Sequence, residues 1–498
     1  MSPASLLDRL PSELYSAICQ HLPPSSRHES VLSLVRAIPR SPVPRRHLWE
    51  CLRLTRARQV FPLYRHLRNA RSDAALVWWI SVEIWNVDAD VLVNFLRLLV
   101  RTVRTLSMFI GPTFAPEHME ELLAEPFPEL RRFTLRFRPY VSKATYEPFL
   151  KGAYFDTTLL SLSRWPPRHL QHLSIVQDPL DPAVASQQSF AQPIVFFRLD
   201  PISTLLKSES MNSLATFQLR IPMRQVGKYL YDLHAFAHQG VHVLDLSTCN
   251  IYEADVDAIL LRFTALRHLI LDGCGLVRGE FSESDWANLG RICAMTGMKR
   301  ARVRERKLKT WLEAQIKAYE EAGDDENTQS GARGATRTSM PQHLTDAMAS
   351  LSVRHDSRRP QRSQVEKPEI PRVRIIPPGP SLLSLATIPS MLVEPEEYTA
   401  VREAFGQGWQ AGILQVNRLR SQLRTSWRNG VRILRFGDSS SGEEEGFSGL
   451  VDLDHDEVNW FEPEEGSCPV LCLAGSNHAS VEHVAGCGHD IIRTALEQ

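Results

Sequence analysis

A chain of 498 residues with 43% apolar and 23% charged side chains is long enough for about two to four domains with sizeable cores. Its 57 basic and 57 acidic residues cancel to a formal net charge of zero, which excludes a whole-protein electrostatic footprint for nucleic acid or membrane and leaves only local patches. Eight scattered cysteines make no disulfide framework, the start MSPASLLDRLPSEL has no apolar signal core, and neither Ala74–Ile84 nor Val91–Val103 approaches the ~18 to 20 apolar residues of a bilayer span. A soluble protein in a reducing compartment, cytoplasmic and/or nuclear, with no membrane partner, is expected.

The first element is a short helix with hard ends. Leu10, Leu14, Ile18 and Leu22 fall at intervals of four, Pro11 fits a first turn, and Pro23 and Pro24 stop it. Val31, Leu32, Leu34, Val35 and Ile38 make a second helical face before Pro39, Pro42 and Pro44 break the chain, and Leu48 and Trp49 begin a third segment. Residues 1–55 therefore read as a helical head. Between Arg36 and Arg71 stand ten arginines against the single Glu50, a charge run that reads as the solvated side of helices rather than as a nucleic-acid surface.

From 56 to 321 one apolar triplet recurs. Its instances are Val103/Leu106/Met108, Leu130/Phe133/Leu135, Leu170/Leu173/Ile175, Leu214/Phe217/Leu219, Val241/Leu244/Leu246 and Leu266/Leu269/Leu271, with a fainter Val77/Ile80/Val82 before them. The steps between middle residues are 26, 27, 40, 44, 27 and 25, and four of the six have the period of a leucine-rich repeat, strand then helix. The two long steps contain Tyr154–Pro167 and Pro179–Pro201, which read as extra loops or a small insertion.

A long helix is expected at Asn288–Glu321, with Val303, Leu308, Trp311, Leu312 and Ile316 as its apolar stripe and a basic run, KRARVRERKLK, at Lys299–Lys309. That run has the composition of a nuclear-localisation signal and equally of a solvated helix face. Residues 322–368 are polar and small and read as a disordered linker. In 369–436, strands at Val373–Ile376 and Val431–Phe436 flank a helix over Glu396–Trp427. Residues 437–498 read as an acidic, largely flexible tail whose aromatic Phe447, Trp460 and Phe461 suit docking on the basic helix.

Cys468, Cys472, His483 and Cys487 have spacing that would qualify as two zinc knuckles, and a zinc-dependent role for the C-terminal third is one alternative. The acidic surroundings and the apolar run PVLCLAG count against it, so no metal and no other cofactor is expected. There is no nucleophile elbow, no P-loop, no H-E-x-x-H and no dinucleotide fingerprint, so an enzyme is not expected.

Leu6–Pro24 resembles the opening of an F-box domain: Leu10, Pro11, Glu13, Leu14, Ile18, Leu22 and Pro23 match its pattern in type and spacing, Leu34 and Val35 fit its second helix, and Trp49 its late aromatic. The stretch Val241–Leu276 is similar to the cysteine-containing class of leucine-rich repeat, with Cys249 and Cys274 each three residues after a strand leucine; a small buried side chain suits that turn, so both read as structural. The resemblance implies an α/β fold: an F-box-like head, an irregular leucine-rich-repeat solenoid with a parallel sheet on one face and helices on the other, the linker, and a small α+β segment. It further implies a non-catalytic substrate receptor, in which Leu10, Pro11, Leu14, Ile18, Leu22, Leu34 and Val35 bind a Skp-type adaptor of a cullin ubiquitin ligase and the repeats bind an unknown target protein. The alternative is an interaction scaffold with a degenerate F-box that joins no ligase, which Pro39, Pro42 and Pro44 favour.

Overall fold

The computed structural model describes residues 10–38, 46–111, 113–138, 154–166, 170–179, 195–231, 240–277, 282–329, 372–388, 397–437, 449–453, 458–463, 466–475 and 483–497. Its strands are β1 (Cys51–Leu54), β2 (Trp79–Val82), β3 (Thr105–Ile110), β4 (Arg132–Phe137), β5 (His172–Gln177), β6 (Thr216–Arg220), β7 (Val243–Asp245), β8 (His268–Ile270), β9 (Val373–Ile375), β10 (Ser384–Ala386), β11 (Arg432–Phe436), β12 (Leu450–Asp452) and β13 (Val470–Cys472). Its helices are α1 (Ser12–His21), α2 (Pro24–Ala37), α3 (Arg46–Glu50), α4 (Val60–Asn69), α5 (Arg71–Ala74), α6 (Ala89–Leu98), α7 (Pro116–Leu123), α8 (Asp156–Ser163), α9 (Asp200–Lys207), α10 (Gly227–Tyr231), α11 (Glu253–Arg262), α12 (Glu283–Gln329), α13 (Tyr398–Arg428) and α14 (Gly488–Glu497). They form two compact units, one of residues 1–282, 381–402 and 469–498, the other of residues 283–380 and 403–468. Among the described residues no helix is long and apolar enough to cross a membrane.

The fold class is α/β. The first unit carries a ten-stranded parallel sheet in the order β1-β2-β3-β4-β5-β6-β7-β8-β10-β13, and parallel neighbours require crossovers, which α4 to α11 supply between β1 and β8. The middle residues of the repeated triplet lie in one row across it: Ile80, Leu106, Phe133, Leu173, Phe217, Leu244 and Leu269 are partners in turn. Leu52 extends the row at one end and Leu385 and Leu471 at the other. All ten of these side chains are buried. At roughly 1.5 to 3 kcal/mol per buried side chain, and with a one-residue slip turning the whole row to the other face, this register is strongly specified. The two long steps do not disturb it, since Leu135, Ile175 and Leu219 remain aligned.

Inserted length sits outside the strands. The expected loop at Tyr154–Pro167 instead holds helix α8, followed by Trp165, whose ring stacks on Phe133 at 6.2 Å and whose indole N–H donates to the Leu123 carbonyl at 3.0 Å. Phe137 meets Phe155 and Phe196, each at 5.1 Å, so the connections supply core rather than only length. Most of the Pro179–Pro201 stretch lies outside the described residues. Strands β3 and β4 alternate buried with part-exposed residues, whereas β8 and β10 are buried on both faces.

In the second unit α12 and α13 approach closely at glycines: a Cβ on Gly408 would lie 1.7 Å from the Ala287 carbonyl oxygen, and one on Gly290 2.1 Å from that of Phe405. A three-stranded sheet, β12-β11-β9, packs its Ile375 and Leu434 with Leu308 and Leu312 of α12. Glu305 of α12 accepts from Arg374 Nε at 3.0 Å and from the Ile375 backbone N–H at 2.7 Å.

Several boundaries differ from those read in the sequence. The head ends at Glu50, because Cys51–Leu54 is already a sheet strand. Helix α12 runs on to Gln329, so 322–329 continue a helix; the rest of the expected linker lies outside the described residues. The basic run is a partly buried helix face, with Arg300 over the Phe436 ring at 4.2 Å, while Trp460 meets Arg435 and Phe461 packs on Trp427. Phe447 and Glu443–Glu445 lie outside the described residues, but the range assigned to a flexible tail also holds β12, β13 and α14.

Candidate functional site

Two places in the first unit gather side chains with a functional character, and both lie near sequence-predicted residues. The first is α1. Arg27 Nη2 donates to the carbonyls of Gln20 (3.1 Å) and Leu22 (3.0 Å), taking up acceptors that the helix end leaves open. Tyr15 and Cys19 are buried with Val31 and Ile38, and Leu10, Leu34, Val35 and Leu48 pack half-buried around them. On the other side Leu14 and Ile18, one turn apart, are 49% and 47% exposed, and Pro11 is exposed as well. The seven predicted adaptor residues therefore do not share one surface. Leu14, Ile18 and Pro11 face outward, Leu10, Leu34 and Val35 build the head's own core, and Leu22 is half-buried at the helix end.

Beneath that face His47 bridges Ser16 Oγ (3.2 Å) and Glu50 Oε2 (2.7 Å). The order serine, histidine, carboxylate is that of a hydrolase relay, but His47 is 1% exposed and Ser16 lies on the packed side of α1. Here the relay fastens α1 to α3.

The repeat cysteines are fasteners too. Cys249 Sγ donates to the Leu219 carbonyl and accepts from the Ile221 N–H, and Cys274 Sγ donates to the Leu246 carbonyl, each tying one strand's turn to its neighbour. Burial pushes the Cys249 thiol up to about 12, so it is no nucleophile at neutral pH. A buried polar ladder crosses the face opposite the leucine row. Ser174 Oγ donates to Gln218 Oε1, Gln218 Nε2 donates to Asp245 Oδ2 at 2.7 Å, and Arg220 donates twice to that same oxygen at 2.6 and 3.0 Å.

The second place is at the end of the sheet. Cys472 closes β13, Cys487 directly precedes α14, His489 lies in its first turn, and His483 comes from the segment before. Their four ligand atoms all lie within 4.8 Å of one another. Cys472 Sγ is 3.6 Å from His483 Nδ1 and 3.9 Å from His489 Nδ1; Cys487 Sγ is 3.8 and 4.0 Å from the same two atoms. His489 presents Nδ1 to the cluster because its Nε2 is held by Asp272 Oδ2 at 2.8 Å, from the turn after β8. Burial raises the Cys472 thiol, but hydrogen bonds from His489 and from its other neighbours more than offset it and leave the group at about 6.

Three of the four residues named for zinc in the sequence thus come together, and Cys468 does not. It is exposed, and its place is taken by His489. The reason is backbone geometry: a spacing of four brings two side chains together on a helix, whereas in extended chain leading into β13 it separates them by about 13 Å. The Cys487-x-His489 pair matches no common knuckle spacing, and Asp272 is 217 residues from His489. Only the fold unites them.

No family model matches the chain, and no curated protein does.

Proposed function

We propose that this protein is a non-catalytic recognition subunit: an F-box-like head, whose α1 docks on a Skp-type adaptor of a cullin ubiquitin ligase, joined to a leucine-rich-repeat solenoid that selects a target protein. The observation that carries the reading is the pair Leu14 and Ile18, apolar and about half exposed on one side of a helix whose other side is fully packed. Scattered single apolar residues on a surface are ordinary, but two adjacent on a helix face, beside exposed Pro11, make a small anchor of the helix-in-groove kind. The row of in-register triplets supports the second half, since stacked strand-helix repeats create an extended face for a macromolecule. On the sheet face opposite the leucine row, β1 to β4 and the chain just after β2 offer Glu83 paired with Arg53, Trp85 stacked on Phe109, and Arg136 over both of those rings, a mixed aromatic and charged surface suited to protein recognition.

The receptor would act by proximity, holding its target near a conjugating enzyme that other subunits supply, so no residue of this chain performs chemistry. Co-expression of the full chain with a Skp-type adaptor tests it. The wild type retains the adaptor through purification and Leu14→Asp does not; absence of the adaptor from the wild-type preparation overturns the reading. That negative result would leave the scaffold with a degenerate F-box.

A further inference from the structure

We infer that Cys472, His483, Cys487 and His489 bind one zinc ion, and that this ion anchors helix α14 across the end of the parallel sheet. The distances are those of a coordination shell. A tetrahedron with zinc–sulfur bonds of about 2.3 Å and zinc–nitrogen bonds of about 2.05 Å has sulfur–nitrogen edges of about 3.6 Å, and the four measured edges run from 3.6 to 4.0 Å. As hydrogen bonds these contacts are long and weak, yet four of them close on each other at a largely buried place. A set of two thiolates and two imidazoles selects zinc over the hard cations, which prefer oxygen.

The surroundings are those of a built site. A ligating imidazole is oriented by what its other nitrogen holds, and His489 Nε2 meets the buried Asp272 carboxylate at 2.8 Å, the carboxylate–histidine–metal arrangement. Asp272 belongs to the turn after β8, so the shell ties together strand β13, helix α14 and the last of the regular repeats. Four protein ligands fill a tetrahedron and leave no position for substrate, which makes the ion structural rather than catalytic.

The ion's work is visible in what α14 covers. Ile270, Ala386 and Cys472 are aligned across β8, β10 and β13, one residue past the leucine row and therefore on the opposite face, and Ile492 of α14 packs with them. Gly488 begins the helix with its Cα so close that a Cβ there would lie 2.9 Å from Ile270 Cγ1. A helix of ten residues is too short to be stable by itself and depends on what holds it to the sheet. The metal supplies the second fastening.

Metal analysis of the purified full chain tests this, with cobalt exchange and amide hydrogen exchange on the same protein. The wild type carries about one zinc per chain, its cobalt form shows thiolate-to-cobalt charge transfer and the intense visible bands of a tetrahedral site, and chelation speeds exchange in α14 while β3 to β5 stay protected. Cys487→Ser and His489→Asn lose the zinc, Cys468→Ser keeps it, and Asp272→Asn keeps it with an affinity lower by about 10- to 100-fold. Should Cys487→Ser or His489→Asn fail to fold, the wild-type metal content and the cobalt spectrum still decide. A wild-type chain that binds no stoichiometric zinc, or whose α14 exchanges at the same rate with and without chelator, overturns the inference.

Discussion

Burial and the charge of Arg132 push the His172 imidazole down to about 4, so it is neutral in the folded protein at pH 7, whereas in the unfolded chain it titrates near its ordinary ~6.5. Between those two values the unfolded state binds the extra proton, so stability falls as pH drops from about 6.5 to about 4, by roughly 3 kcal/mol in all. Urea midpoints measured across that window should show the slope in the wild type and lose most of it in His172→Leu. Asp245 works in the opposite chemical sense. Burial alone would raise its carboxyl, but Arg220 and the hydrogen bonds from Arg220 and Ser247 hold it below the usual carboxylate range. Removing it strands a guanidinium, and Asp245→Ala should cost about 3 to 5 kcal/mol in urea unfolding. Neither role was legible in the sequence, where His172 and Asp245 are polar residues among others inside apolar triplets; what defines them is a residue of the neighbouring strand, Arg132 for His172 and Arg220 for Asp245.

Elements with a strong local period were legible. The triplets located β3 to β8 because each contributes one buried row residue, and the flanks of the second unit showed as Val373–Ile376 and Val431–Phe436 because β-branched runs there are bounded by polar chain. Strands β10 and β13 were missed as members of the large sheet because Leu385 and Leu471 follow Leu269 at separations far beyond the 25 to 44 residues between successive triplets. The close approach of α12 and α13 was equally invisible, since Gly406, Gly408 and Gly412 look alike in sequence. The structure separates them. A Cβ on Gly406 meets nothing within 4 Å, while one on Gly408 meets backbone at 1.7 Å. Gly406→Ala should therefore stabilise the second unit by about 0.5 to 1 kcal/mol through helix propensity, and Gly408→Ala should destabilise it by about 1 to 3 kcal/mol by forcing the helices apart. Amide exchange along α12 and α13 in the full chain reads both signs in one experiment.

At the scale of the whole molecule, a repeated apolar triplet implied stacked strand-helix units and a short helix with an open Leu14/Ile18 face precedes them. Composition points to a globular chain of zero net charge without a disulfide framework but says nothing of residues 437–498, which read as an acidic tail. The sheet there continues through β10 and β13, joined by long-range pairing that no local window contains. The account's central claim concerns the N-terminal face, and titration calorimetry tests it directly: a purified Skp-type adaptor added to the full-length wild type and to the Leu14→Asp/Ile18→Asp double variant. Both substituted positions are half exposed, so the variant keeps its fold, and at about 2 kcal/mol or more for truncating an interface anchor the two changes weaken binding by at least about 100-fold. Saturable one-to-one binding by the wild type, lost in the variant, is the predicted result; no binding by the folded wild type, or equal binding by both, would contradict it.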